Sequence, residues 1–331
     1  MKEAENRISH FCLDCQSHLY APAIIAYMKG RKSPPYAYEK DGQTYVVVGE
    51  WCRRLRKNHS SAKDKLAAMD AAGIDITALS INDPGPERFG KDGLKIAETA
   101  NDFIAAVVRT YPKRFIGLAS LPLQDMRAAQ IELERCVNKL RMKGILLYSN
   151  INGEFPDLPK YRPLFKLACE LDLPIVMHPA YPVTFEHTKD YELTAGLGLM
   201  FDTSIALARI ILAGILEEHP KLRLLCPHLG GTLVYLIGRL DHQCRVLGRG
   251  TENISNSPRE YLKQVYFDTV SPELLAIKYC NDLLGPDRLL YGSDHPWVDP
   301  VLIADCIRGL NLTSEDERKI FGENARILFK L

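Results

Sequence analysis

The sequence is poor in the features that mark a nucleic-acid or membrane protein. Its 42 basic and 41 acidic side chains leave a formal charge of +1. That balance offers no cationic face for a phosphate backbone or an acidic membrane. No apolar run approaches the length needed to span a bilayer. The opening MKEAENRISH has charges but no apolar h-region, so it does not read as a secretory signal. The nine cysteines are an odd number and follow no framework. Cys12 and Cys15 form one C-x-x-C, with no second pair at zinc-ribbon spacing. Reduced, buried thiols in a cytoplasmic protein are the simpler expectation. Low-complexity segments are absent, and neither nucleic acid nor a membrane is an expected partner.

What the chain does contain is a beat of short apolar strands and amphipathic helices. Strands are expected at Ile8 to Asp14, ITALS (76–80), FIGLAS (115–120), GILLYS (144–149), PIVMHP (174–179), LRLLCPH (222–228), VYFDTV (265–270) and RLLYGSD (288–294). Helical patterns separate them, such as SAKDKLAAMDAAG with Gly73 as a C-cap. The strands are continuous apolar runs, as in a parallel sheet covered on both faces. Eight such units predict an α/β fold, a (β/α)₈ TIM barrel, formed as one domain over residues 1–331. Residues 19–60 break the rhythm. They predict an insertion at the barrel mouth with a β-hairpin around Asp41-Gly42. The last stretch, TSEDERKIFGENARILFKL, reads as a closing helix capped at Thr313 or Ser314.

Polar residues fall where these strands end, which is where barrel chemistry sits. FCLDCQSHLYAP delivers Asp14, Gln16 and His18, which strict alternation would place on one face. PIVMHP ends in His178, LLCPHLGG in His228 and LLYGSDHPW in Asp294. Each has a plain reading alone: a hydrogen-bonded core histidine, a tight turn, or an Asx-turn or N-cap. Four strands of one barrel delivering such groups at one end are harder to dismiss. Two imidazoles and a carboxylate suit a divalent transition metal, and a third imidazole suits proton transfer. His10, His59, His187, His219 and His242 take the plain reading. His295 adjoins Asp294, but alternation turns it away. Tyr20 and Trp297 flank these groups and are candidates to stack on a planar substrate.

These residues resemble the amidohydrolase-related family typified by 2-amino-3-carboxymuconate-6-semialdehyde decarboxylase, within the amidohydrolase superfamily. The similarity runs from the first strand to the last helix. It is densest in KDKLAAMDAAGIDITALS, YPKRFIGLASLPLQ, LERCVNKLRMKGI, the HPA of IVMHPAYP, EEHPKLRLLCPHLGG, GRLDH and LLYGSDHPW. The resemblance implies one divalent metal ion, zinc first and manganese second, with no organic cofactor. It implies ligands at Gln16, His18, His178 and Asp294, catalytic roles for His228 and Asp294, and a homodimer. Two departures stand out. Gln16 occupies the place of a histidine or glutamate, which removes a strong donor and shifts preference toward harder ions such as Mn²⁺; alternatively, Gln16 reaches a metal-bound water. Gly49, in VVVGEW, occupies the place of an arginine that holds substrate carboxylate, with Arg53 or Arg54 as nearby substitutes. The expected function is non-oxidative decarboxylation of an aromatic or muconate-type acid. The alternatives are a metal-dependent hydrolase or hydratase acting on a lactone, and a degenerate binding site.

Overall fold

The computed structural model describes residues 10–331. Eight parallel strands pair in chain order: β1 (Leu13–Leu19), β5 (Ile76–Ile81), β6 (Phe115–Ala119), β7 (Gly144–Tyr148), β8 (Ile175–His178), β9 (Leu224–Cys226), β10 (Tyr266–Asp268) and β11 (Leu289–Leu290). The cylinder closes between its first and last strands through backbone bonds: Cys15 N to Tyr291 O at 2.9 Å, Asp294 N to Gln16 O at 3.0 Å and His18 N to His295 O at 2.9 Å. The insertion supplies α1 (Pro22–Lys29), and eight further helices follow the barrel strands: α2 (Ala62–Ala72), α3 (Gly93–Thr110), α4 (Met126–Asn138), α5 (Arg162–Glu170), α6 (Leu199–Leu212), α7 (Leu233–Arg245), α8 (Leu274–Leu284) and α9 (Pro300–Arg308). Helix α2 forms as its sequence asks. Ser61 caps it by accepting from Asp64 N, and Gly73 ends it at φ +80°, a conformation that costs glycine nothing.

The first strand differs from expectation. Ile8 and Ser9 lie outside the described residues, and His10 sits before the strand, 3.8 Å from Glu317. Phe11 packs against Gly322 and Arg326 near the C-terminus rather than in the sheet. The strand therefore starts at Leu13, and Asp14 to His18 lie within it, all buried. Its alternation is also broken: the register shifts between Asp14 and Ser17, leaving Cys15 and Gln16 opposite Ala78 alone. A bulge of this kind re-aims side chains. Asp14 accordingly turns to Ser293, accepting from its N at 2.9 Å and its Oγ at 2.6 Å.

The insertion forms α1 and a three-stranded antiparallel sheet, β2 (Tyr36–Lys40), β3 (Gln43–Val48) and β4 (Trp51–Leu55). Lys40 pairs with Gln43 around Asp41 (φ 51°) and Gly42 (φ 71°), the left-handed pair a two-residue hairpin needs. Beyond the expected hairpin, β4 adds a third strand that carries Trp51 and Arg53. The closing helix is capped as expected, with Thr313 accepting from Asp316 N. All nine cysteines are free.

The expectation about apolar runs needs one correction. Thr194–Leu212 is a single helical segment long and apolar enough to cross a membrane; Asp202 and Arg209 conceal it in the sequence. Both polar residues have uses in the barrel. Asp202 accepts from Asn150 Nδ2 at 2.8 Å and Val183 N at 3.0 Å, and Arg209 pairs with Asp157 at 2.7 Å. One face of the helix (Thr203, Leu207, Ile210) is buried, while Leu197, Phe201 and Ile205 face outward.

Candidate metal centre and its cavity

His18, His178 and Asp294 arrive from β1, β8 and the end of β11, and one donor atom of each lies within 4.8 Å of the others. Asp294 Oδ1 is 3.1 Å from His18 Nε2 and 3.7 Å from His178 Nε2. Donors bound to one cation at about 2.0–2.2 Å sit about 3–4 Å apart, so these separations match a shared ion. The far side of each ring is held. His178 Nδ1 donates to Pro179 O at 2.7 Å, which leaves the Nε2 lone pair free, and His18 Nδ1 meets Ser80 Oγ at 2.8 Å. Such outer partners fix ring tautomer and orientation at metal sites.

The donor atoms are buried and lack hydrogen-bond partners. His18 Nε2, His178 Nε2, Asp294 Oδ1 and both amide atoms of Gln16 make none among the described residues. Buried polar atoms are normally paired. The joint orphaning of His18 Nε2, His178 Nε2 and Asp294 Oδ1, in a group whose donor atoms lie within 4.8 Å of one another, fits a divalent cation held by these three residues.

Electrostatics agree. Burial, followed by the neighbouring His178, pushes His18 down to about 4, so it is the neutral imidazole a metal requires. Burial alone would raise Asp294, but His178, His18 and His228 outweigh it and hold the carboxyl well below its usual range. His228 Nε2 lies 3.6 Å from Asp294 Oδ2. Burial works against protonation of His228, yet Asp294 and Asp268 together raise its pKa. Asp294 thus presents Oδ1 to the two imidazoles and Oδ2 to the third. His228 (φ 53°) and Asp294 (φ 52°) both occupy the left-handed region. Such backbone costs on the order of 1 kcal/mol each and persists where surrounding structure enforces it, often at functional sites.

A cavity of 480 Å³ opens above this cluster. His178, His228 and Asp294 form its polar floor, Trp51, Leu199, Met200, Val270 and Trp297 its apolar walls, and Arg53 and Arg54 its cations. Arg53 is no surface residue. It pairs with Asp83 at 2.7 Å and lies 4.3 Å over the Trp51 ring. Trp297 lines the cavity as expected, but Tyr20 does not. Its hydroxyl donates to Asp83 O at 2.8 Å and Asn82 Oδ1 at 3.1 Å, beneath the arginine. At Gly49 (φ +58°) a Cβ would meet the Tyr181 ring at 2.6 Å. A side chain at this position would need Tyr181 to move, whereas Arg53 on β4 already lines the cavity. His295 is buried and does not line this cavity.

Several contributors were missed from sequence. Asp268 ends β10 and accepts from His228 N at 2.7 Å. Burial pushes it up to about 7. It had the same signal as the others, an acid closing an apolar strand, in VYFDTV. Asn82 and Asp83 likewise follow β5. Lys65 is buried on α2, bonded to Ser17 Oγ at 2.5 Å and His295 O at 2.6 Å. Nothing in its local sequence distinguishes it from its exposed neighbours.

A barrel with a candidate metal cluster at its mouth suits this class of protein, and the chain belongs to the amidohydrolase family, matching it over residues 13–331. It is 30% identical over 311 residues to gamma-resorcylate decarboxylase of Rhizobium sp. (strain MTP-10005), covering 86% of this chain and 92% of that enzyme. It is 29% identical over 296 residues to 2-amino-3-carboxymuconate-6-semialdehyde decarboxylase of Dictyostelium discoideum, covering 85% and 79%. Among solved structures, 5-carboxyvanillate decarboxylase of Novosphingobium aromaticivorans, complexed with manganese and 4-hydroxy-3-methoxy-5-nitrobenzoic acid, superposes with TM-score 0.81. It shares 25% identity over 98% of this chain and 97% of that one.

Proposed function

We propose that this protein is a metal-dependent, non-oxidative decarboxylase of a carboxylic acid, with an aromatic acid favoured over a muconate. The observation that carries the reading is the convergence of unpartnered donors from His18, His178 and Asp294 on the floor of a largely apolar cavity. The names of its relatives support the reaction class. The ion would be held by His18, His178 and Asp294, with Gln16 as a weak fourth donor. When bound, it supplies positive charge for a substrate carboxylate and its neighbouring oxygen.

The chain's own residues do the rest. Trp51 and Trp297 border the space a planar ring would fill, and Arg53 adds a cation partly neutralised by Asp83. A single-carboxylate ring suits such walls better than an extended diacid does. His228 and Asp294 Oδ2 handle the proton. It is delivered to the ring carbon bearing the carboxylate, the C–C bond then breaks, its electrons restore the ring, and CO₂ leaves. One solvent proton is consumed per turnover, and no oxidant is needed.

The test is a screen of hydroxybenzoates and muconate acids with Mn²⁺- or Zn²⁺-loaded protein, reading CO₂ release. Both tryptophans of the chain line the cavity, so a bound acid should also quench their fluorescence. Metal-loaded protein that quenches with an aromatic acid yet never releases CO₂ from any of them would sink the decarboxylase assignment. The choice of ion is also open to measurement. Gln16→His restores a nitrogen donor and should tighten Zn²⁺ binding by about 10-fold relative to Mn²⁺, read by competitive titration. An unchanged ratio would remove Gln16 from the coordination sphere.

A homodimer is part of this proposal. Leu193, Leu197, Phe201 and Ile205 are exposed at four-residue spacing, and Tyr235 and Leu236 on α7 are exposed as well. A row of exposed apolar side chains along one helical segment is often covered by a partner. The double variant Phe201→Asp, Ile205→Asp should convert the dimer to monomer in light scattering; a monomeric wild type would refute it.

A further inference from the structure

We infer that Lys65 is a positioning residue for the metal centre, its ammonium locking the turn that carries Asp294 against the strand that carries His18. The inference rests on the metal-centre reading above.

Lys65 lies on α2, outside the barrel wall, and is 1% exposed, whereas Lys63 and Asp64 beside it are exposed. A lysine on a surface helix normally extends its head to water. This one turns inward to the β1–β11 seam. Its Nζ donates to Ser17 Oγ at 2.5 Å and to His295 O at 2.6 Å. The same carbonyl accepts from Ser17 Oγ and from His18 N, each at 2.9 Å. One oxygen, next in sequence to Asp294, thus gathers three donors, two of them from the strand bearing His18. The residue before Asp294 is held as well, since Ser293 donates to Asp14 through both N and Oγ. The Asp294 amide itself donates to Gln16 O at 3.0 Å. With φ at 52°, Asp294 needs such enforcement to keep its carboxylate on station.

Fold stability alone does not explain this lysine. Its two hydrogen bonds go to neutral oxygens, and burial pushes Lys65 down to about 7, outweighing the charges of Asp14 and Asp294 that favour its ammonium. Burying an ammonium without a direct counter-ion is costly, and an apolar side chain of similar length would fill the space without that penalty. The two acceptors it does reach are attached to the neighbours of His18 and Asp294. The arrangement gives up stability for placement of these donors.

The experiment compares wild type and Lys65→Met as full-length, metal-free proteins. It reads the melting temperature, then Mn²⁺ affinity by EPR of the free ion, then the visible spectrum with Co²⁺. The expected result is a melting temperature equal to or above wild type, Mn²⁺ affinity lower by about 10–100-fold, and an altered Co²⁺ spectrum. A folded Lys65→Met that binds Mn²⁺ within about 2-fold of wild type overturns the inference. A lowered melting temperature with unchanged Mn²⁺ affinity overturns it too, since that is the mark of a structural lysine. Should Lys65→Met not fold, Ser17→Ala decides, because it removes the hydroxyl that Lys65 and the His295 carbonyl share. A loss of about 5-fold or more in Mn²⁺ affinity supports the inference, and an unchanged affinity overturns it. Wild-type protein that binds none of Mn²⁺, Co²⁺ and Zn²⁺ overturns the metal-centre reading, and this inference with it.

Discussion

Asp294→Asn is expected to lose metal and turnover together. Metal affinity should fall by on the order of 10²-fold, and decarboxylation by at least about 10³-fold even when metal is supplied in excess. The reason is that the proposed site asks two things of one carboxylate. Its Oδ1 faces His18 and His178, and its Oδ2 faces His228 at 3.6 Å. It is the only anion in the three-residue donor set. Asparagine has the same shape and tolerates the left-handed backbone found at this position, so the fold should stand. Elemental analysis of the purified variant and steady-state rates at saturating Mn²⁺ test the two losses separately. A variant that keeps full metal would show that Asp294 does not coordinate. One that keeps full rate would show that it moves no proton.

His228→Asn separates the second role from the first. The imidazole is outside the three-donor cluster, lines the cavity and faces the far oxygen of Asp294 at 3.6 Å. Its removal should leave metal content and the tryptophan quenching by bound acid close to wild type. Turnover should drop by about 10²–10⁴-fold, the usual contribution of a positioned proton donor. Asparagine again suits the backbone, with φ at 53°. Near-wild-type turnover would assign proton transfer to Asp294 alone. Loss of the metal instead would make His228 a ligand. Together the two variants divide the site into a part that holds the cation and a part that moves a proton.

Much of this was legible in the chain because parallel barrels separate their signals. Continuous apolar runs mark the strands, and a polar residue closing such a run marks the mouth. That is why His178, His228 and Asp294 stood out, and why the Asp41-Gly42 hairpin did. The reasoning failed where geometry departed from a simple period. The bulge between Asp14 and Ser17 broke the two-residue alternation, so Asp14 turned to Ser293 instead of joining His18. Tyr20 follows the same strand but donates beneath Arg53. Arg53 itself reads from sequence like any charged strand residue; only the fold reveals Asp83 and Trp51 around it. Lys65 was invisible for the same reason, since its partners lie 48 and 230 positions away. Asp268 was missed although the rule that found the others applied to it.

The barrel closes where β1 meets β11, and the proposed centre straddles that junction, with His18 on one side and Asp294 on the other. A growing polypeptide therefore has no complete centre until the eighth barrel strand has emerged, because Asp294 belongs to the last unit of the cylinder. Once seated, a cation would act as a clasp between the two ends of the wrap. Loaded protein should accordingly resist unzipping along this join, and amide exchange at Cys15 and His18 should slow more than at the β6–β7 contact, whose strands carry none of the three donors.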